Sequence, residues 1–311
     1  MTVLRAILFV PEVLVVLASP PLLMSVIAKT KAWFGGRVGP PWLQPYFDIH
    51  KLIQKNAVYS KTTTWIFRAG PIISLASLLT ATTLVPVLSD DSLLGFPGDV
   101  ILLAYLLALG RMFTVLAAMD TGSSFEGMGA SREVTFGAMS EPALFLSFVV
   151  MAVASKSLRL SEMIGPSLIP GWQVAGPAVI LVVGALLVVL LTETCRVPVD
   201  DPATHLELTM IHEVMVLDHS GPEFACITYG AALKFALLGS IVVHAAIPHG
   251  GWLAWLNAPL RMLELGGLAL LIGIIESVTA RFRLNRVPML LAGATVLSAI
   301  ALVLVLMRRT V

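Results

Sequence analysis

Eight ionisable residues stand inside or at the ends of long apolar stretches: Glu12, Arg111, Glu141, Glu193, Lys234, His244, Glu264 and Glu276. A charge in hydrocarbon is costly, so such groups pair with one another or mark an ion path. Glu12, Lys234, His244 and Glu264 fall where a long side chain can snorkel to an interface. Glu141 lies well inside its stretch and precedes Pro142, which predicts a kink that opens space for water. Glu193 closes the fifth stretch. Glu141 and Glu193 are therefore the first two members of a predicted proton-exchanging cluster.

The segment after Glu193 continues the chemistry. Asp201 as N-cap and Pro202 at the first helical position predict a helix of about 17 residues, stopped at Ser220-Gly221-Pro222. On a 100° wheel His205, His212 and, if the helix reaches it, His219 form one stripe. Glu207 falls on the other face, among Met210, Ile211 and Val214. A carboxylate in apolar company has its pKa raised, which suits a proton carrier; the alternative is an ion pair with a cation of the first loop. Glu207 and Glu213 thus extend the predicted proton path. No metal is expected. The histidines stand roughly 10 Å apart along a helix, with no His-Glu-x-x-His and no thiolate nearby in sequence.

These groups need a scaffold, and the composition dictates which kind. The 311 residues are 57% apolar and 13% charged, whereas a soluble domain carries about 25% charged residues. A soluble enzyme, a disordered chain and a nucleic-acid binder are excluded. The net charge of +1 supplies no bulk field. Cys195 and Cys226 are the two cysteines, with no Cys-x-x-Cys, so the chain builds neither an iron–sulfur site nor a zinc ribbon. The expected fold is an all-α polytopic membrane protein forming a single integral membrane domain over 1–311. It has eight transmembrane helices, near Ala6–Ala28, Gly70–Leu88, Val100–Met119, Val134–Ser155, Gln173–Thr192, Cys226–Ile247, Leu260–Ala280 and Val287–Met307. The first is too long, and too interrupted by Pro11, Pro20 and Pro21, for a signal peptide. No internal repeat of the secondary-transporter kind is present.

Eight spans put both termini on one side. Twelve Lys and Arg lie in Lys29–Arg68, Arg132, Arg196, Arg281, Arg283 and Arg286, against six on the opposite side. The positive-inside rule then predicts periplasmic termini and two large cytoplasmic loops containing amphipathic helices. All six tryptophans fall at or just beyond span ends, as an interfacial belt does. The first loop reads Arg37-Val-Gly39-Pro40-Pro-Trp-Leu-Gln44-Pro-Tyr-Phe-Asp48-Ile-His-Lys51. From Pro45 onward its apolar and charged residues alternate at helical spacing, as in a short helix lying at the membrane surface. Its turn, followed by acid and base one helical turn apart, is more specific than anchoring requires.

Arg37-x-Gly39-Pro40, Gln44, Asp48 and Lys51-Leu52 resemble the first-loop signature of complex I subunit 1. Glu193-Thr-x-Arg196-x-Pro198-x-Asp200-x-Pro202 resembles the fifth-loop signature of the same family. The run from Asp120 to Arg132-Glu133 is similar to its membrane-bound [NiFe]-hydrogenase branch. The resemblance implies a subunit that seats an electron-transfer arm and joins it to antiporter-like membrane subunits. That arm comprises hydrogenase-like large and small subunits and a ferredoxin-like iron–sulfur subunit. It implies that Arg37, Gly39, Pro40, Gln44, Asp48, Lys51, Arg132, Glu133, Arg196 and Asp200 form a loop cavity and docking face. Glu141, Glu193, Glu207 and Glu213 would couple redox chemistry to proton or sodium movement across a cell inner membrane. It implies no cofactor held by this chain, with quinone as the candidate ligand of the loop cavity. The quinone-reducing members usually run Glu-x-Glu-x-Glu after Pro202, whereas this chain has Ala203, His205 and Glu207. The resemblance therefore bears on position in a complex more than on chemistry. A quinone-site subunit of a respiratory oxidoreductase and a stand-alone ion transporter are the competing readings.

Overall fold

The apolar stretches fold as the hydropathy requires, because a backbone in lipid must satisfy its own hydrogen bonds. The computed structural model describes the backbone of residues 3–200, 210–249 and 254–309, and the side chains of 13–200, 210–249 and 256–307. The elements in chain order are α1 (Val3–Phe34), α2 (Gln44–Ile53), α3 (Trp65–Leu84), α4 (Asp99–Asp120), α5 (Ser124–Ser155), α6 (Leu160–Ile164), α7 (Ile169–Glu193), α8 (His212–Met215), α9 (Gly221–Ala246), α10 (Ala254–Val278) and α11 (Val287–Arg309). Eight of them, α1, α3, α4, α5, α7, α9, α10 and α11, are long and apolar enough to span a bilayer. Among the described residues there is no strand.

Side-chain bonds gather at two ends of the bundle. At one end Asp120, closing α4, accepts from the Thr64 amide and hydroxyl at the start of α3 (2.6 and 2.9 Å). At the other end Asp99, opening α4, accepts from the Leu160 amide (2.7 Å). Fully buried Arg261 pairs there with Glu264 (3.0 Å) and Asp90 (3.3 Å), and His249 bonds to Glu264. His244, also fully buried, contacts the carbonyls of Ser240 and Ser89. His244 and Glu264 do not snorkel; they are tied into this end.

The first loop holds the expected surface helix. In α2 the Gln44 amide donates to Asp48 (2.8 Å), and Phe47 and Ile53 are exposed. Tyr46 hydroxyl donates to the Ala18 carbonyl, and Ser25 hydroxyl donates to the Trp42 carbonyl (2.6 Å), so the loop folds back on α1. Gly221, at φ +57°, lies against Lys55–Ala57 of the same loop; a Cβ there would stand 2.9 Å from the Lys55 carbonyl oxygen. That position requires glycine on both counts, conformation and space.

Two sequence expectations are corrected. The fourth span starts ten residues early, since α5 begins at Ser124 rather than near Val134, and Arg132 and Glu133 are helical rather than loop residues. Small residues allow this. Gly129 and Ala130 are buried, and Gly129 meets the Ile211 carbonyl and the side chains of Val214 and Met215. The 17-residue helix is also absent over the residues described. Only the single turn α8 is helical between Met210 and Ser220. The Ile211 amide, which a continuous helix would direct four residues back, donates to Asp200 Oδ2 (2.9 Å). Arg132 takes the Met210 carbonyl (2.8 Å). Tertiary partners outcompete the local helix signals here. Pro142 leaves α5 helical throughout, while the irregular backbone of a span lies at Ala175 in α7 (φ −129°, ψ 34°), two residues before Pro177.

Candidate functional site

Four spans, α4, α5, α7 and α9, meet at one buried guanidinium. Arg111 of α4 reaches Glu193 at the end of α7 (2.5 Å), Glu141 of α5 (2.8 Å) and, more loosely, Glu133 of α5 (3.9 Å). Lys234 of α9 approaches the second oxygen of Glu193 (2.8 Å), and Ser140 hydroxyl donates to its first (2.9 Å). Gly137 supplies the room: a Cβ on it would collide with the Arg111 guanidinium. Gly110 of α4 approaches Ser74 and Ser77 of α3 closely for the same lack of a side chain. The cluster holds two cations and three carboxylates, so its formal charge is −1 and one more proton would make it neutral. Such a set can exchange a proton without exposing a bare charge to lipid.

A cavity of about 70 Å³ adjoins the cluster, lined among others by Arg111, Glu133, Glu193, Cys195, His212 and Lys234. A water needs roughly 10–15 Å³ on this measure, so the space admits a few. Of the residues of the predicted path, the structure brings Glu141 and Glu193 to the same guanidinium, that of Arg111. Glu141 remains partly open, its side chain 42% exposed, whereas that of Glu193 is 4% exposed. Glu213 sits half-buried on α8, and no described bond joins it to the cluster. Glu207 and His205 lie outside the described residues. Arg111 and Lys234 are the members that sequence reasoning left unassigned. Their signal was present, since both are cations within spans, but nothing in the sequence pairs them with Glu193.

A second set of ion pairs fastens the two loops. Glu276 of α10, fully buried, receives Lys31 from the end of α1 (2.8 Å) and Arg196 from the turn after α7 (3.1 Å). Asp200 pairs with Arg281 (2.8 Å), and the Phe282 amide donates to the Pro198 carbonyl (2.9 Å). Arg196 and Asp200 are thus built into the scaffold. Arg37, Asp48 and Lys51 are exposed, and Gly39 and Pro40 form the turn leading to α2, with Gly39 at φ +72°.

A cysteine, distant from the histidines in sequence, is beside His212 in space. Cys195, at φ +49°, is buried beside Glu133 (Sγ to Oε2 3.9 Å). Burial, and then the Glu133 carboxylate, hold its thiol well above the usual range, so it is protonated. His219 does not share a stripe with His212; it is buried and stacked on Phe67 with ring centroids 3.9 Å apart.

His219 gives a pH signature. Burial lowers its pKa to about 4, with Glu223 Oε2 3.5 Å from Nδ1. In the unfolded chain a histidine titrates near 6.5. Between these values the unfolded state binds a proton that the folded state refuses. This contribution to stability is whole above about pH 6.5 and is lost as pH falls towards about 4. His219→Phe, which keeps the stack, should lose a few degrees less of its thermal midpoint between pH 7 and pH 5 than the parent does. Equal losses in thermal scans of the two proteins would contradict the assignment.

The chain is similar to several known membrane-complex subunits. It is 33% identical to hydrogenase-4 component C of Escherichia coli, over 77% of this chain and 74% of that protein. It is 31% identical to formate hydrogenlyase subunit 4 of Escherichia coli, over 89% of this chain and 91% of that protein. It is 27% identical to an NADH-quinone oxidoreductase subunit of Anaplasma phagocytophilum, over 78% of this chain and 75% of that protein. The fold recurs in the structure of the membrane-bound sulfane sulfur reductase, an archaeal respiratory membrane complex. There the TM-score is 0.80 at 21% identity, covering 97% of this chain and 98% of that one, a likeness of fold alone. A family model described as NADH dehydrogenase matches residues 6–307, and with these relatives it establishes that the chain belongs to that family, which unites complex I subunit 1 with its hydrogenase branch.

Proposed function

We propose that the chain is the membrane-anchoring and coupling subunit of a hydrogenase-type or complex I-like assembly. It joins redox chemistry in a peripheral arm to proton or sodium translocation. The observation that carries this reading is Glu193, buried between Arg111 and Lys234 beside a water-sized cavity, at the bundle end where both loops are fastened. A change in the loops can shift which cation Glu193 holds, and with it the proton shared by the cluster. Glu207 is the sequence's candidate for the next carrier. The partners that fit are hydrogenase-like large and small subunits with a ferredoxin-like iron–sulfur subunit on the loops, and antiporter-like subunits in the membrane. The exposed Trp33, Val38, Trp42 and Phe47 of the first loop suit such a docked arm.

A quinone chamber, the mark of the alternative reading, needs a wall from another subunit. Arg37 and Asp48 lie exposed, and about 70 Å³ beside Glu193 is far below the ~300 Å³ of small ligand pockets. The test is purification of the tagged chain from its native membrane. It should bring down an iron-containing arm, and the complex in liposomes should move ions when reduced. A chain that purifies alone and moves ions alone would overturn the proposal.

The proposed orientation puts both termini in the periplasm and residues 29–68 in the cytoplasm of a cell with an inner membrane. Lys61 is exposed at one end of the bundle and Leu94 at the other. In intact cells an impermeant maleimide should label Leu94→Cys and spare Lys61→Cys. The reverse pattern would invert the topology.

A further inference from the structure

Glu133, Cys195 and His212 come from three different segments: the first third of α5, the turn after α7 and the first residue of α8. One ligand atom from each, a carboxylate oxygen, the thiol sulfur and a ring nitrogen, lie within 4.8 Å of one another. Donors bound to one tetrahedral zinc at 2.0–2.3 Å stand roughly 3.3–4 Å apart, so the set needs only a slight closing. All three line the cavity beside Arg111, which leaves space for a water as fourth ligand. We propose that Glu133, Cys195 and His212 form a binding site for a zinc-type divalent cation that staples the segment after α7 to α5.

The donor chemistry selects the class. Thiolate and imidazole favour zinc over magnesium or calcium, which take oxygen ligands. Charge also balances: the thiol gives its proton to solvent on binding, and thiolate plus carboxylate cancel the dication. Glu133 is free to serve, because its contact with Arg111 Nε is long, at 3.9 Å, and Arg111 keeps Glu141 and Glu193. His212 is half-buried, with no hydrogen bond from its ring among those described. The backbone favours the same convergence. Cys195 is in the left-handed region, unusual for a residue other than glycine, and this turn places its side chain at Glu133. Three histidines spread along one helix could not share an ion; this site uses one of them, with donors from two other segments. The site shares Glu133 with the cluster around Arg111, and its test reads zinc binding rather than ion movement.

The test uses the full-length chain purified in detergent, stripped with a chelator, loaded with zinc sulfate and dialysed. Elemental analysis should find one zinc per chain in the parent. Cys195→Ser and His212→Gln should each lose at least about tenfold in affinity, and Glu133→Gln should bind more weakly than the parent. Cys226→Ser should keep its zinc, because Cys226 lines the cavity outside the donor triad. Should a variant fail to fold, X-ray absorption of the loaded parent decides. One sulfur at about 2.3 Å with lighter nitrogen or oxygen neighbours supports the site. A shell without sulfur, equal zinc in parent and Cys195→Ser, or no zinc retained by the parent would overturn it.

Discussion

Glu193→Gln should abolish redox-driven ion translocation, a loss of about 100-fold or more if the carboxylate is an obligate proton carrier. The substitution preserves shape but removes both the exchangeable proton and the counter-charge of two buried cations. Arg111 at 2.5 Å and Lys234 at 2.8 Å would then face each other across a neutral amide. Leaving one partner of a buried pair uncompensated costs about 3–5 kcal/mol, so the variant complex should also melt earlier. The two effects are separable. Adding Lys234→Met to Glu193→Gln removes the cation that has lost its ion-pair partner and should restore much of the thermal midpoint while translocation stays lost. If the double variant recovers ion movement with stability, Glu193 is a structural ion-pair member and not a carrier. Proton uptake into liposomes, alongside thermal scans of the parent and both variants, reads both quantities.

The second large effect concerns assembly. Glu276 has no exposed side-chain surface and holds Lys31 and Arg196 together. Glu276→Gln should destabilise the protein by about 3–5 kcal/mol, since two cations from different loops lose one shared anion. The damage should be local first. Hydrogen exchange should quicken at the end of α1 and in residues 194–200 before it does in α3 or α4. An exposed pair supplies the control: Arg159 and Glu162 are 3.9 Å apart with side chains 34% and 50% exposed. Glu162→Gln should change stability by less than about 1 kcal/mol. Equal effects of the two substitutions would mean that burial does not set the strength of these pairs.

The eight spans were legible because hydropathy over a bilayer's width is a long, redundant signal, and no tertiary contact is needed to read it. The start of α5 was not. Ser124–Glu133 is polar enough to read as loop, and it becomes helix through the packing of Gly129 and Ala130 on the segment around Ile211. The segment before Gly221 failed in the opposite direction. Its cap and stop residues are local cues, whereas Asp200, Arg132 and Phe67 claim Ile211, Met210 and His219 from a distance in sequence. At the site, Glu141 and Glu193 were readable as charges in the wrong solvent. Their partners were readable as charges too, but pairing is a property of the fold. A wheel drawn for one helix running on through the described residues 210–220, where only α8 is helical, had no means of placing Cys195 beside His212.

The spacing of charge along α9 has an electrical consequence. Lys234 belongs to the cluster at one end of the bundle and His244 to the network at the other, ten residues along the same helix, or about 15 Å. The intervening wall is built of Phe235, Leu237, Leu238 and Ile241, all buried. Opposite them α7 has Glu193 as its sole ionisable residue. That layer is a dielectric: a charge entering it has no titratable group on either helix on which to rest. The cluster around Glu193 and the network around His244 are thus electrically separated along these two helices.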